Sequence, residues 1–302
     1  MPTPPPICIL IVSRNNCADL VATLDNLEEL NYPKEQLDLV LYDNGSTDAT
    51  AQQVPAHLEG MSSAWGQLEY SRSEENLGAF GGRAVAQQQI TERAQFVLSL
   101  DDDVEMAPDS LGILLEALQE TGAGSVGARI VYYSDPSREA ISAGYFNRWL
   151  GAFSGDAPDQ RSPCHFTASC GTLYRRDVFQ SVDGFDVEYY TSHGDVDVCL
   201  KIMDAGYEVL YEPAAVIQHK VELGGTRNPE RMYYLLRNKV LLFRKHLTLS
   251  QRMVVYTLYA LTWVPKLLLG SVAHHRGINW PEVKAIGQAV VDAVVDRRGR
   301  RR

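Results

Sequence analysis

The chain has 302 residues, 45% hydrophobic and 22% charged, with a net charge of −10; this suits one large globular domain or two modest ones and excludes a disordered or fibrous chain. Residues 1–226 hold 13 Lys/Arg against 34 Asp/Glu and residues 227–302 hold 15 against 4, balances of −21 and +11. Anionic lipid or nucleic acid is the natural partner of such a tail; we expect a membrane surface and no nucleic acid. Five cysteines without a CxxC pair argue against a disulfide framework or a zinc site and fit a reducing compartment.

The start, "MPTPPPICILIVSRNN", lacks the basic region of a signal peptide and reads as a Pro-rich lead-in to a buried strand. "ICILIVS" (7–13) is a continuous apolar run. Leu20, Leu24, Leu27 and Leu30 follow at helical spacing. "LDLVLYD" (37–43) predicts a second strand, and Ser46, Thr47 or Asp48 a cap for the next helix. "LEYSRS" (68–73) and "FVLSLD" (96–101) predict two more strands, separated by a helix over 81–94. This alternation predicts an α/β fold with an open, mostly parallel sheet flanked by helices. Ligands in such sheets bind beyond the carboxyl ends of the strands, where Ser13, Arg14, Asp43 and Asp101–Asp103 all fall.

Further on, 110–120 reads as helix and 123–133 as strand. Residues 134–165, rich in Gly, Ser and Pro, read as irregular structure with a few short strands, of the kind that often carries function. "AAVIQH" (214–219) ends a strand on His219. "MVVYTLYALTWVPKLLLGSVA" (253–273) is strongly apolar but broken by Pro265–Lys266, against a simple transmembrane helix. With the basic end it predicts an interfacial helical pair; packing on the catalytic domain or across a dimer is the alternative. The domain expectation is 1–246 catalytic and 247–302 a helical, basic membrane-surface segment.

Three carboxylates at a strand end are either solvated or await a cation. An EF-hand loop fails, because Met106 and Gly112 stand where Gly and Glu are required. An aspartyl-phosphate motif fails at Glu105. What survives is D-x-D, with Asp101 and Asp103 aimed at a divalent cation and a diphosphate; Asp102, turned to the other side of the strand, is expected as a supporting member of the donor nucleotide site. "NLGAFGG" (76–82) lacks the dinucleotide fingerprint. It is either a Gly-rich helix entry or, through Asn76 and Gly78, a loop allowing close approach of a nucleotide diphosphate, with Arg83 or Arg72 as a cation. Asp195 and Asp197 begin a helix, as dipole-favoured acids or as a general base. His219 is either structural or a metal ligand.

In order and spacing, "ILIVSRNN", "LYDNGSTDAT", "ENLGAFGG", "LSLDDDV", "GTLYRRDVFQSVDGFD", "HGDVDVCLKIMDAGYEV", "IQH" and "YYLLRNKVLLFRKH" resemble the family-2 glycosyltransferases of the GT-A nucleotide-diphospho-sugar fold, over about residues 7–245. Bacterial rhamnosyl and galactofuranosyl transferases are similar. The resemblance implies a metal-dependent, inverting transfer of a hexose from a nucleotide-diphospho-sugar to a glycan or lipid-linked acceptor, with Mg²⁺ or Mn²⁺. It implies that Asp43 reads the base, that Ser13 and Arg14 line its pocket, and that Asp101 and Asp103 bridge ribose, metal and diphosphate. His219 would be a further metal ligand and Asp195 the base. The family often writes E-D-x-D there; this chain has Gly194 in place of the Glu. A cytoplasmic protein, peripheral on the inner face of the cell membrane and potentially a homo-oligomer, is expected. A nucleotidyltransferase is the competing enzyme, though "SRNNCADL" lacks its Gly-rich phosphate loop. A non-catalytic binding protein is the third reading.

Overall fold

The computed structural model describes residues 3–61, 64–140, 142–155, 158–221, 228–275 and 277–301. Three residues of the expected irregular stretch, Ile141, Asp156 and Ala157, and the tail's Arg276 and Arg302 lie outside the described residues.

Strand β1 (Ile7–Ser13) is buried along its whole length, as an apolar run with no polar face requires. It pairs in parallel with β2 (Leu37–Asp43) and β4 (Phe96–Leu100), and β2 pairs in parallel with β3 (Gln67–Arg72). Ser13 stands opposite Asp43, and Ile11 opposite Leu100. Three strands therefore end together, at one edge of the sheet. Between them run α1 (Cys17–Glu28), α2 (Thr50–Gly60) and α3 (Gly78–Ala86). Asp48 is the residue that holds the start of α2, accepting from the Thr50 backbone N–H at 3.0 Å.

Beyond β4 come β5 (Val104–Met106), α4 (Ser110–Thr121), β6 (Ser125–Tyr132) and β7 (Asp135–Glu139). The stretch expected to be irregular holds β8 (Ala143–Asn147), β9 (Ala152–Ser154), β10 (Ser162–Cys164) and β11 (Phe166–Thr167); β8, β9 and β11 form a small separate sheet. Then follow β12 (Gly171–Arg175), α5 (Arg176–Ser181), α6 (Gly194–Asp204) and β13 (Val209–His219). The main sheet has the order β10-β13-β6-β12-β4-β1-β2-β3. It is less parallel than the alternation of strands and helices predicts. β12 inserts antiparallel between β4 and β6, and β10, β5 and β7 also pair antiparallel. Among the described residues no helix lies between β6 and β7 or between β6 and β12, and antiparallel pairing needs none.

The period-2 alternation of β1 divides the core. Ile7, Ile9 and Ile11 pack with Leu20, Leu24 and Leu27 of α1 on one face. Cys8, Leu10 and Val12 pack on the other, with Phe80 of α3 and the residues of α6. α7 (Pro229–His246), α8 (Leu249–Leu258), α9 (Val264–His275) and α10 (Trp280–Val294) complete the chain. The break expected at Pro265 is a π-helical turn, Tyr259–Trp263, joining α8 to α9. Proline has no N–H for the helix ladder and its ring crowds the carbonyl four residues back, so a locally widened turn absorbs it. α10 lies on α7, burying Ala285, Ile286, Ala289 and Asp292, and the Tyr233 hydroxyl donates to Asp292 at 2.7 Å.

Candidate active site

A cavity of about 620 Å³ opens at the strand-end edge. Of the residues singled out from the sequence, Ser13, Arg14, Asn76, Gly78 and Asp102 line it. The Ser13 hydroxyl donates to Asp102 at 2.5 Å. Burial, opposed by that bond and reinforced by the charges of Asp103 and Asp101, pushes Asp102 up to about 6. The loop of Asn76 and Gly78 is pinned from β2's end: Asn44 accepts from the Leu77 N–H at 2.9 Å and donates to the Gly78 carbonyl at 2.9 Å. Gly78 has φ +79°, and a Cβ there would stand 2.2 Å from the Tyr190 carbonyl. Only glycine permits this approach.

Two of the expected donor contacts sit elsewhere. Asp43 is fully buried and its carboxylate accepts from the Tyr70 hydroxyl (3.1 Å), Arg72 Nε (3.0 Å) and the Ser46 N–H (2.8 Å). It does not line the cavity. Arg83 is only 3% exposed. Its guanidinium pairs with Asp101 and donates to Ser99 Oγ and the Leu100 carbonyl at 3.3 Å each. It therefore orients the first acid of the D-x-D pair and is not on the cavity wall.

The acids gather around His219. β5 pairs with β13 so that Val104 faces His219, which sets the imidazole beside the strand-end turn. His219 Nε2 lies 2.9 Å from Asp103 and 3.5 Å from Asp101. β12 pairs with β4 so that Gly171 faces Leu100, and the preceding Cys170 joins the group. The ligand atoms of Asp101, Cys170 and His219 lie within 4.8 Å of one another. Burial disfavours an imidazolium here, but hydrogen bonds to Asp103 and Cys170 and the charge of Asp101 outweigh it and push His219 up to about 11. A positive charge is thus favoured amid these groups. Carboxylate and imidazole ligands suit Mn²⁺ or Mg²⁺, and the thiol leans towards the softer ion.

Asp195 starts α6. Its carboxylate accepts from the Val196 N–H at 2.9 Å. Burial pushes it up to about 6 despite that bond and the nearby charge of Arg83. Asp197, the other acid of the pair, is fully buried. Tyr189 Oη and His246 Nε2 each lie 2.9 Å from it, and Lys201 3.2 Å. Burial opposes its charge, yet His246 and Lys201 hold it at about 2, so it anchors the helix.

The decisive likeness covers most of these parts. A family model described as glycosyl transferase family 2 matches residues 8–183. The chain belongs to glycosyl transferase family 2. The match sets aside the nucleotidyltransferase reading. This glycosyltransferase is 28% identical over 222 residues to an N-acetylglucosaminyl-diphospho-decaprenol L-rhamnosyltransferase of Mycobacterium tuberculosis, covering 64% of this chain and 69% of that one. It is 30% identical over 233 residues to an uncharacterized protein of Sinorhizobium fredii, covering 71% of this chain but only 24% of that much longer one. Among solved structures it resembles a mannosyltransferase of Pyrobaculum calidifontis in complex with GDP-Man and Mn²⁺, at 17% identity and TM-score 0.62, over 97% of this chain and 88% of that one. That likeness supports the GT-A fold.

Several site residues of this glycosyltransferase escape sequence reading. A Cβ on Gly194 would lie 2.3 Å from the Phe80 ring, so Phe80 fills the place of the Glu that the family often carries. Asn238 of α7 donates to the Tyr189 and Ser192 carbonyls at 2.6 and 3.0 Å and also to Thr191. It holds a turn in which Tyr190, Ser192 and His193 all have positive φ. Cys170 and Asn238 carried no local signal; only strand pairing and helix packing bring them to the site.

Proposed function

We propose that the chain transfers a hexose, with rhamnose the leading candidate, from a nucleotide-diphospho-sugar to a hydroxyl of a lipid-linked glycan precursor, inverting the anomeric centre and requiring Mn²⁺ or Mg²⁺. One observation carries the reading: Asp195, a buried carboxyl raised to about 6, follows Gly194, which packs against the Phe80 ring, and the centre of that ring lies 5.8 Å from the Arg83 guanidinium that holds Asp101. An acid–base group thus adjoins the D-x-D–His cluster. The rhamnosyl and lipid-linked elements rest on the printed activity of the mycobacterial relative.

In this reading the nucleotide occupies the cavity beside Ser13, Arg14 and Asp102. Asp101, Asp103 and His219 would hold the cation, with Cys170 beside them. When bound, the cation neutralises charge developing on the leaving diphosphate. Arg83 fixes Asp101. Asp195 takes the acceptor hydroxyl's proton as its oxygen attacks the anomeric carbon from the face opposite the departing diphosphate; the new glycosidic bond forms as the C–O bond to phosphate breaks. The turn held by Asn238 sets Asp195 in place.

The helix over Leu249–His274 is long and apolar enough to cross a membrane: its most apolar 18-residue window has mean hydropathy 1.4, and only 11% of that window is buried. We infer that it lies at an anionic membrane interface, at the boundary with the catalytic part of residues 1–246. The test is a panel of nucleotide sugars with Mn²⁺ and an N-acetylglucosaminyl-diphospho-alkyl acceptor. Rhamnosyl transfer that stops in excess chelator is expected; full activity in chelator overturns the metal-dependent mechanism.

A further inference from the structure

The basic residues of α7 differ in how their charge is met. Lys245 pairs with Asp186 and Glu188, and Arg244 with Asp296. Lys239 is only 7% exposed, yet among the described residues no carboxylate or hydrogen-bond acceptor meets its ammonium. Aromatic rings surround it instead. Nζ lies 3.8 Å from the ring centre of Trp263, 5.0 Å from Phe153 and 5.7 Å from Tyr259. Ring faces attract a cation, but they do not replace a hydration shell as a carboxylate does. Burial alone pulls this lysine down to about 8, and no anion raises it.

A second nitrogen nearby has the same deficit. His193 packs against Phe153, ring centres 5.7 Å apart, and its Nδ1 is buried without a partner. Burial and the charge of Lys239 bring the imidazole down to about 3, so it is neutral. His193 is two residues from Asp195. Lys239 Nζ and the His193 ring, with its unpartnered Nδ1, therefore both lie beside Phe153. Around them the surface turns apolar. Trp149 and Leu150, at the turn between β8 and β9, are 54% and 52% exposed, and Leu261 is 72% exposed.

We propose that Lys239, with His193, Trp263 and Phe153, forms a subsite for the diphosphate of an isoprenoid-linked acceptor. The acceptor's sugar end reaches Asp195, and its lipid leaves over Trp149, Leu150 and the exposed face of α8 and α9. The proposal rests on the lipid-linked reading above and adds where the anion is held. An anion here meets the ammonium without displacing any carboxylate, and the unpartnered Nδ1 of His193, in the tautomer that carries its proton there, supplies a further donor beside Phe153. A free phosphate offers the same charge but nothing for the apolar surround.

The test titrates the full chain calorimetrically with farnesyl diphosphate, farnesol and inorganic pyrophosphate, in chelator so that the donor site does not compete through a metal. Farnesyl diphosphate should bind at least tenfold tighter than either of the others. Lys239→Met should remove that advantage and Lys239→Arg should keep it, with thermal melts reporting on the fold of each. Wild-type protein that binds farnesyl diphosphate no better than farnesol overturns the subsite, as does a folded Lys239→Met that keeps the preference. Pyrophosphate binding as well as farnesyl diphosphate would show an adventitious anion contact and overturn it too. Should Lys239→Met fail to fold, the wild-type selectivities still decide. These ligands carry no sugar, so a preference for farnesyl diphosphate without transfer to any lipid-linked acceptor would sink the proposed activity and leave the subsite standing.

Discussion

In the proposed mechanism Asp195 and the D-x-D acids make separable demands on the same reaction. Asp195→Asn keeps the shape of the side chain and loses the base; a general base contributes about 10²–10⁴-fold, so turnover should fall by that factor while calorimetric donor affinity stays. If turnover is unchanged, the proton leaves by another route. The raised carboxyl also sets a pH limit. Activity should climb as pH rises through about 6, where the base loses its proton, and a rate flat from pH 5 to 8 would count against it. The same shift works against the fold: from the unfolded value of 3.8 up to about 6, rising pH removes a proton that the folded state holds more tightly. Asp101→Asn and Asp103→Asn should abolish transfer with the melting temperature within a few degrees of wild type. Gly194→Glu, which restores the common family residue, should fail here because Phe80 occupies that space; Gly194→Glu combined with Phe80→Ala should recover folding that the single change loses.

At the scale of elements, the sequence revealed the parallel half of the sheet well. β1, β2 and β4 are apolar runs ending in polar residues, and that pattern has few other readings. It placed Ser13 and the three acids at the strand ends correctly. It could not show that Arg72 and Tyr70 engage Asp43, or that Arg83 turns inward to Asp101, because a charged side chain near a site looks the same whether it faces a ligand or a neighbouring acid. The antiparallel half was legible only as short strands, since its pairing is set by contacts distant in sequence. The turn before α6 shows this most clearly. Three carbonyl groups of that turn region, those of Tyr189, Thr191 and Ser192, meet the Asn238 amide, 46 to 49 residues away. Asn238→Asp replaces the donor with a carboxylate facing those carbonyls. Each unmet buried polar group costs about 1–3 kcal/mol, so a melting temperature lowered by several degrees and a fall in kcat exceeding the rise in KM are expected. Asn238→Asp with wild-type melting and wild-type kcat would show that the turn needs no such clamp.

For the whole molecule, the charge asymmetry misled in one respect. The basic end is engaged mostly within its own segment and, through Arg298, with the body: Arg297 pairs with Asp292, Arg298 with Asp296 and with Glu188 of the body, and Arg301 donates to Gln288 at 2.5 Å. These cations are not all available to lipid. In the membrane reading proposed above, the apolar helix is the stronger element, because Leu249, Met253, Leu261 and Leu269 are 73%, 66%, 72% and 70% exposed. A leucine side chain moved from water into an apolar phase gains roughly 1.5–3 kcal/mol, more than the ~1 kcal/mol of a basic residue near an anionic surface. Removing residues 247–302 would not test this cleanly, since α10 covers α7 and its loss would expose buried core. Leu261→Glu with Leu269→Glu is the better change: both sites are exposed, so stability should hold. Flotation of the full chain with liposomes containing anionic lipid should be strong for the wild type and persist at high salt, where exposed charge attraction is screened. The double variant should stay largely unbound. Wild-type protein that ignores such liposomes at low salt refutes the membrane reading, and a dimer dissociated by the same two substitutions would assign the exposed apolar face to a second copy of the chain.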